Sequence, residues 1–233
     1  MDLTIFVIDP SPKESERNSQ GFVRIIDAIL KTEAQEIVLV SMRDPRYEEA
    51  FLKQIPVKTF ETKKGLFSKT VRFDLKKRHL QTDRFEPGFL LNALGKNLGH
   101  SALFFFEDEP TDLAFDGKHA IIKLIEMAEQ KKTMVFGIKK ISFSEVGQYL
   151  LVKGSSVSEG EYRLSALFQT GNPLQSPSNL ALSNRFILNP SFFKRLDENI
   201  NKESKTAFFN TLESLINKEA VYGFLPFKPV KIK

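Results

Sequence analysis

Ser176-Pro177-Ser178-Asn179-Leu180-Ala181-Leu182-Ser183-Asn184-Arg185-Phe186-Ile187-Leu188-Asn189-Pro190 is the stretch against which the rest of the chain can be laid out. Proline and serine open it with turn chemistry. The alternating and then apolar residues that follow read as a buried strand stopped at Pro190. Downstream, residues 191–196 and 207–216 have helical patterns, and 220–224 is a last short strand. Upstream, residues 162–168 and 149–152 read as strands around a short polar hairpin at 154–161, and 133–138 is a further strand. Residues 119–131 form a helix with Ile121, Ile122, Leu124, Ile125 and Met127 on its apolar side.

The amino-terminal part supplies the fold class. Residues 3–8 are a short β-branched run ending at Asp9-Pro10-Ser11-Pro12. Phe22, Ile25, Ile26, Ile29 and Leu30 then recur at helical spacing over residues 21–31, and 36–41 is a second strand. A strand–helix–strand unit of this kind predicts an α/β protein with a doubly wound, mostly parallel, Rossmann-like sheet. Residues 47–54 are also helical in pattern. Residues 58–89 carry many charges and no clear period, and read as a solvated excursion. Its Phe60, Phe67, Phe73 and Phe85 are expected to anchor it to the body rather than to stack on bases. No repeat or low-complexity tract divides the chain, so residues 1–233 are expected to form one domain.

Composition narrows the function only by exclusion. The chain has no Cys, which rules out disulfides, thiolate metal sites and a Cys nucleophile, and is compatible with the cytoplasm. It opens without a basic leader, and no window approaches the roughly 18 apolar residues of a membrane span, so a cytoplasmic protein with no membrane partner is expected. The net charge of +5 suits a phosphate-bearing ligand as well as simple solubility, and a nucleic-acid partner is not expected from it. His79, His100 and His119 stand apart with no catalytic motif around them. Phe accounts for 22 residues and Trp for none, a bias with no functional reading at this level.

The opening stretch resembles the Pro-Ser-Asn-Leu-Ala, Gly-Arg-Tyr-Ile-Leu and Pro segment of bacterial UDP-glucose pyrophosphorylases, the UTP–glucose-1-phosphate uridylyltransferases. The resemblance continues over residues 22–40, over 120–152 with Glu145-Val146-Gly147-Gln148-Tyr149, and in Ala220-Val221-Tyr222-Gly223. It implies a nucleotide-diphospho-sugar transferase-like fold with the nucleotide at the carboxyl ends of the strands. The family reaction joins UTP and glucose-1-phosphate into UDP-glucose and pyrophosphate. The implied ligands are a nucleotide or sugar phosphate, with Mg²⁺ as cofactor, and a partner protein or homo-oligomer is left open.

The departures from the family pattern bear on activity. Where the family has Gly-x-Gly-Thr-Arg to hold the triphosphate, this chain has Asp9-Pro10-Ser11-Pro12, with two prolines that lack N–H donors and no glycine. Pro12-Lys13-Glu14 matches a later Pro-Lys-Glu, which leaves Lys13 as the catalytic candidate. The segment from Asn92 to His100 resembles the family's uracil-reading loop, so Asn92, Gly99 and His100 are nucleotide-binding candidates. Asn97 stands where the family has its first glycine. Asp116 is the candidate metal ligand, with an alternative register through Glu107 and Asp108. The family's second Asp is expected a few residues beyond Phe224, where this chain reads Leu225-Pro226-Phe227-Lys228 and carries no acid, so the Mg²⁺ site is expected to be incomplete. Gln169-Thr170-Gly171 replaces a Glu-Lys-Pro that contacts sugar and phosphate, leaving Gln169 and Asn179 as sugar-binding candidates. Losing that Lys forfeits a charge-assisted bond worth about 1.5–3 kcal/mol. Three readings follow: a degenerate or very weak family member, with a regulatory role among its options; an active nucleotidyltransferase with displaced groups; and a non-catalytic anion or nucleic-acid binding module.

Overall fold

The computed structural model describes residues 3–9, 36–41, 60–64, 67–71, 74–79, 87–106, 119–170, 172–201 and 206–226. In chain order these form β1 (Leu3–Asp9), β2 (Glu36–Ser41), β3 (Phe60–Lys64), β4 (Phe67–Val71), β5 (Asp74–His79), α1 (Pro87–Gly95), β6 (Ser101–Phe106), α2 (Ala120–Lys131), β7 (Val135–Lys140), β8 (Leu151–Ser158), β9 (Glu161–Phe168), β10 (Leu180–Leu188), α3 (Pro190–Ile200), α4 (Ala207–Ile216) and β11 (Tyr222–Phe224). The helices expected at 21–31 and 47–54 lie outside the described residues.

Nine strands make one sheet in the order β5-β2-β1-β6-β10-β7-β11-β9-β8. β5, β2, β1 and β6 run parallel, β10 is antiparallel to both β6 and β7, and β11 is parallel to β7. The strands expected near 3–8, 36–41, 133–138 and 162–168 are all present. Two features differ from the sequence expectation. Residues 74–79 are the edge strand of the main sheet rather than part of a solvated excursion, and only β3 and β4 stand apart as a two-stranded hairpin. The strand expected at 149–152 extends through Ser158, because Gly154-Ser155-Ser156 can pair with β9 without needing an apolar face.

The carboxyl-terminal strands close on themselves. β10 pairs with β7, β7 with β11, β11 with β9, β9 with β8, and β8 again with β10 through Leu180 and Ala181. Such closure requires a bend in a strand that serves two neighbours. The register shift in β10 between Leu182 and Phe186 supplies it, as bulges do. Gly137 of β7 faces this bulge: a Cβ there would lie 2.2 Å from Ser183 Oγ. The β8–β9 turn uses Gly160 at φ +73°, a conformation that costs glycine little and other residues more.

Helices cover the sheet because alternate strand residues on both faces are apolar. Phe6, Phe104, Phe136, Phe186 and Leu188 meet Leu91, Leu94, Phe192, Phe193, Leu196, Leu212 and Leu215 from α1, α3 and α4. α2 buries Ile121, Leu124, Ile125 and Ala128 and contacts β7 and β10. Two caps set helix starts: the His119 ring nitrogen Nδ1 accepts from Ile121 N–H at 3.2 Å, and Asn189 Oδ1 accepts from Phe192 N–H at 3.1 Å. Pro190, read in the sequence as a strand terminator, is also the first residue of α3, where its missing N–H costs nothing.

α1 and α3 approach closely at Gly95, where an added Cβ would sit 2.1 Å from Phe193 Cε1. Phe193 is only 1% exposed and has no free space to swing into. Gly95→Ala is therefore expected to destabilise by about 1–3 kcal/mol through overpacking. Urea titration checks this, and Phe193→Leu should restore part of the loss in the double variant.

Candidate functional site

In a doubly wound sheet the ligand crevice lies outside the carboxyl ends of the strands, where the strand order reverses. Here the chain passes from β1 outward to β2 and then back to β6 on the other side of β1, so the reversal falls between β1 and β6. The carboxyl ends at that point are Asp9 and Phe106. The edge continues through Lys140 of β7, with Leu180 of the antiparallel β10 in register beside it.

The described wall beyond this edge is built from two short 3₁₀ turns, Phe143–Gln148 and Pro173–Gln175, which pack against each other. The Glu145-Val146-Gly147-Gln148-Tyr149 segment has a structural explanation residue by residue. The Glu145 carboxylate accepts from the Ser142 hydroxyl at 2.6 Å and the Ser142 N–H at 2.9 Å. These bonds, the hydroxyl first, hold its carboxyl below the usual range, with help from the Lys139 charge. Because the folded-state value is depressed, any stability Glu145 adds is present above the ordinary carboxylate range and fades as pH falls through it. Val146 is fully buried with Ile141, Leu151 and Ala181. Tyr149 lies under the Lys139 ammonium, 4.2 Å from ring centroid to Nζ.

The Ser-Pro-Ser-Asn turn is fixed in the same way. Ser176 Oγ donates to the Ser178 carbonyl, Ser178 Oγ accepts from Leu180 N–H at 2.9 Å, and the Asn179 carbonyl accepts from Ile141 N–H at 3.0 Å. One polar group at this edge was not singled out from sequence. Arg185 is 1% exposed, in register with Phe105 at the end of β6, and stands beside Ser183 and Gly137. The available signal was an arginine between the strand's polar middle, Ser183-Asn184, and its apolar end, Phe186-Ile187-Leu188, since a fully buried guanidinium requires compensating partners.

Comparison with known proteins accords with this geometry. A UTP–glucose-1-phosphate uridylyltransferase of Staphylococcus epidermidis is 24% identical over 184 residues, covering 74% of this chain and 62% of that protein. The same-named protein of Pseudomonas aeruginosa is 25% identical over 114 residues, covering 44% of this chain and 41% of that one. A UDP-glucose pyrophosphorylase solved with UDP-glucose superposes at a TM-score of 0.70 and 14% identity, over 98% of this chain and 91% of that one. The chain is similar, at low identity, to the UTP–glucose-1-phosphate uridylyltransferases. A UTP-bound pyrophosphorylase from Acinetobacter baumannii superposes at 0.68 with 10% identity, over 97% and 87% of the two chains. No family model matches. The chain spans 41% of the length of the Pseudomonas uridylyltransferase and 62% of the staphylococcal one.

Among the described residues, the positions that the uridylyltransferase pattern suggested are not brought together. Lys13 and Asp116 lie outside the described residues, as do Glu107 and Asp108. Asn92 is on α1, 9% exposed, and its amide donates to Asp197 of α3 at 2.9 Å; it ties two helices together. Gly99 and His100 precede β6, and Ser101 pairs with Leu3, so they stand at the amino ends of the parallel strands. His100 Nε2 there meets Thr4 Oγ1 at 2.8 Å. Gly99 and His100 thus stand at the edge opposite Asp9 and Phe106, and Asn92 lies between α1 and α3.

Gln169 follows β9 and is exposed, while Asn179 precedes β10 and is half-buried. Phe168, Leu151 and Ala181 share one row across β9, β8 and β10, which sets Gln169 and Asn179 on opposite sides of that row. They are about three residues, or roughly 10 Å, apart along the strands, so they do not face one group. Among the described residues no group of three or more His, Asp or Glu could hold a metal ion.

Arg185→Met is expected to cost about 3–5 kcal/mol, because it strands whatever compensates the buried guanidinium. Denaturant unfolding measures it. Asn92→Ala should cost only about 0.5–1.5 kcal/mol, the worth of one hydrogen bond to a carboxylate that also reaches solvent.

Proposed function

We propose that this protein is a uridylyltransferase-like sugar-nucleotide binder in which catalysis is lost or very weak, with a regulatory role built on the retained fold. The observation that carries the reading is the carboxyl end of β1. β1 is hydrogen-bonded on both sides, to β2 and to β6, and ends with Asp9 at the carboxyl edge of the sheet. The sequence that follows it is Pro10-Ser11-Pro12, with neither glycine nor a run of N–H donors to receive a triphosphate. The Gln169-Thr170-Gly171 replacement supports the same conclusion by removing a phosphate-facing cation.

Phosphoryl transfer depends on positioning and charge neutralisation. Losing the triphosphate loop and the sugar-phosphate Lys together, at about 2–4 kcal/mol each, slows transfer by several orders of magnitude. Mg²⁺ would require Asp116, or Glu107 and Asp108, together with a second acid that the sequence after Phe224 does not supply. One observation favours a second reading. Lys76, Lys77, Arg78 and His79 stand in consecutive register along β5, the outer strand of the sheet, as an anion-binding edge would. That reading requires strongly salt-dependent binding with no preference for uridine nucleotides.

Calorimetry with UDP-glucose and UTP, with and without Mg²⁺, tests the proposal alongside pyrophosphate release from UTP and glucose-1-phosphate. The expected outcome is UDP-glucose binding with turnover at or near background. Asn92→Ala and His100→Ala should leave that affinity unchanged, because neither residue faces the crevice. Mg²⁺-dependent turnover abolished by Asp116→Ala would overturn the degenerate reading in favour of displaced catalytic groups.

A further inference from the structure

The chain's net charge of +5 is confined to one stretch. Residues 60–79, from the start of β3 to the end of β5, hold seven of its 34 Lys and Arg and two of its 29 Asp and Glu. That stretch therefore carries +5 by itself, and the rest of the chain holds 27 charges of each sign. Net charge taken over the whole chain suits solubility as well as any ligand. Charge gathered on one element is the electrostatic footprint of a polyanion site.

The fold sets this charge out in lines. Lys76-Lys77-Arg78-His79 stand in unbroken parallel register with Val38-Leu39-Val40-Ser41, on the outer strand of the nine-stranded sheet. Lys76 and Arg78 are roughly 6.6 Å apart along the strand. That is close to the separation of successive phosphates in an extended nucleic-acid strand. β3 and β4 pair as a two-stranded ribbon, with Lys63 opposite Ser68 and Lys69 opposite Thr62. Only Arg72 and Phe73 separate the ribbon from β5, and both are in keeping with it: a further cation and a further aromatic ring. Among the described residues, no strand pairs with the outer side of β5.

The residues among the cations select the partner. Phe60, Phe67 and Phe73 interleave with Lys63, Lys64, Lys69 and Arg72. Cations for a phosphate backbone and flat rings for bases are the combination that holds a single strand without reading its sequence. These phenylalanines are not required as anchors, because β5 is tied to the body by its own ladder with β2. An anionic bilayer is met by apolar side chains inserted beside cations, and the run from Lys76 to His79 has none. We propose that β5 and the β3–β4 ribbon bind single-stranded nucleic acid, through its phosphates and stacked bases. The inference takes up the anion-binding edge noted above and gives it a partner. It is independent of sugar-nucleotide binding in the crevice.

Fluorescence anisotropy of a labelled single strand of about twenty nucleotides tests the proposal on the full chain. The wild type should bind it, with affinity falling about a hundredfold between 50 and 200 mM salt. Replacing Lys76, Lys77 and Arg78 by Gln should weaken binding about tenfold or more and flatten the salt slope by about two. Replacing Lys63, Lys64 and Lys69 by Gln should do the same, so the result does not hang on β5 tolerating substitution. Replacing the exposed Lys153, Arg163 and Lys194 by Gln removes equal charge elsewhere and should leave affinity within about twofold. Urea titration of each variant confirms that it is folded. No binding at 50 mM salt overturns the proposal, as does equal weakening by the control triple. A duplex, a polyglutamate or phosphatidylserine vesicles bound more tightly than the single strand would leave an anion-binding edge with another partner. Displacement of the strand by UDP-glucose overturns it too, by placing the strand in the crevice.

Discussion

The structure depends most on aromatic contacts through the middle of the sheet. Phe6 stacks on Phe104 at 4.8 Å, Phe104 meets Phe193, Phe193 meets Phe192, Phe192 meets Phe208, Phe208 meets Phe186, and Phe186 meets Phe136. This unbroken chain of seven rings starts in β1, crosses β6 to α3 and α4, and returns through β10 to β7. It explains the phenylalanine bias that had no functional reading in the sequence: large flat side chains fill the wedge between a twisted sheet and two crossing helices. The absence of any hydroxyl or indole N–H in these rings means that no buried donor has to be matched.

What could be read from the sequence follows from period and local chemistry. The strands at 3–8 and 36–41 and the helix at 207–216 were legible because their residues repeat at one period without interruption. β5 was not, because Asp74-Leu75-Lys76-Lys77-Arg78-His79 has no apolar alternation; charged residues on an edge strand guard against mispairing and hide the strand in the sequence. α1 was missed for another reason. Leu91 and Leu94 are buried, but Gly88 and Gly95 make the segment look like a loop, and the Leu-Gly-His triplet after it drew the reading toward a binding motif. A motif match carries weight only when the element around it is right.

The same limit applies to the site. The turn at 176–179 and the segment from Glu145 to Tyr149 stand where the sequence suggests, and Ser178, Glu145, Val146 and Tyr149 make local capping and packing contacts. Arg185 was passed over because, within a strand of matching pattern, it looked like one more letter of the pattern. Its burial gives it significance, and burial is a property of the assembled sheet.

All five strands of the closed circuit, from β7 to β11, come from residues 135–224. The hydrogen bonds that seal it are made without β1, β2 or the residues that follow them. The circuit's own hydrogen bonds do not involve the parallel strands β1, β2, β5 and β6, and what ties it to them is the β6–β10 pairing and the chain of rings from Phe6 to Phe136. A change of sequence at the carboxyl edge of β1 would leave every hydrogen bond of the circuit in place.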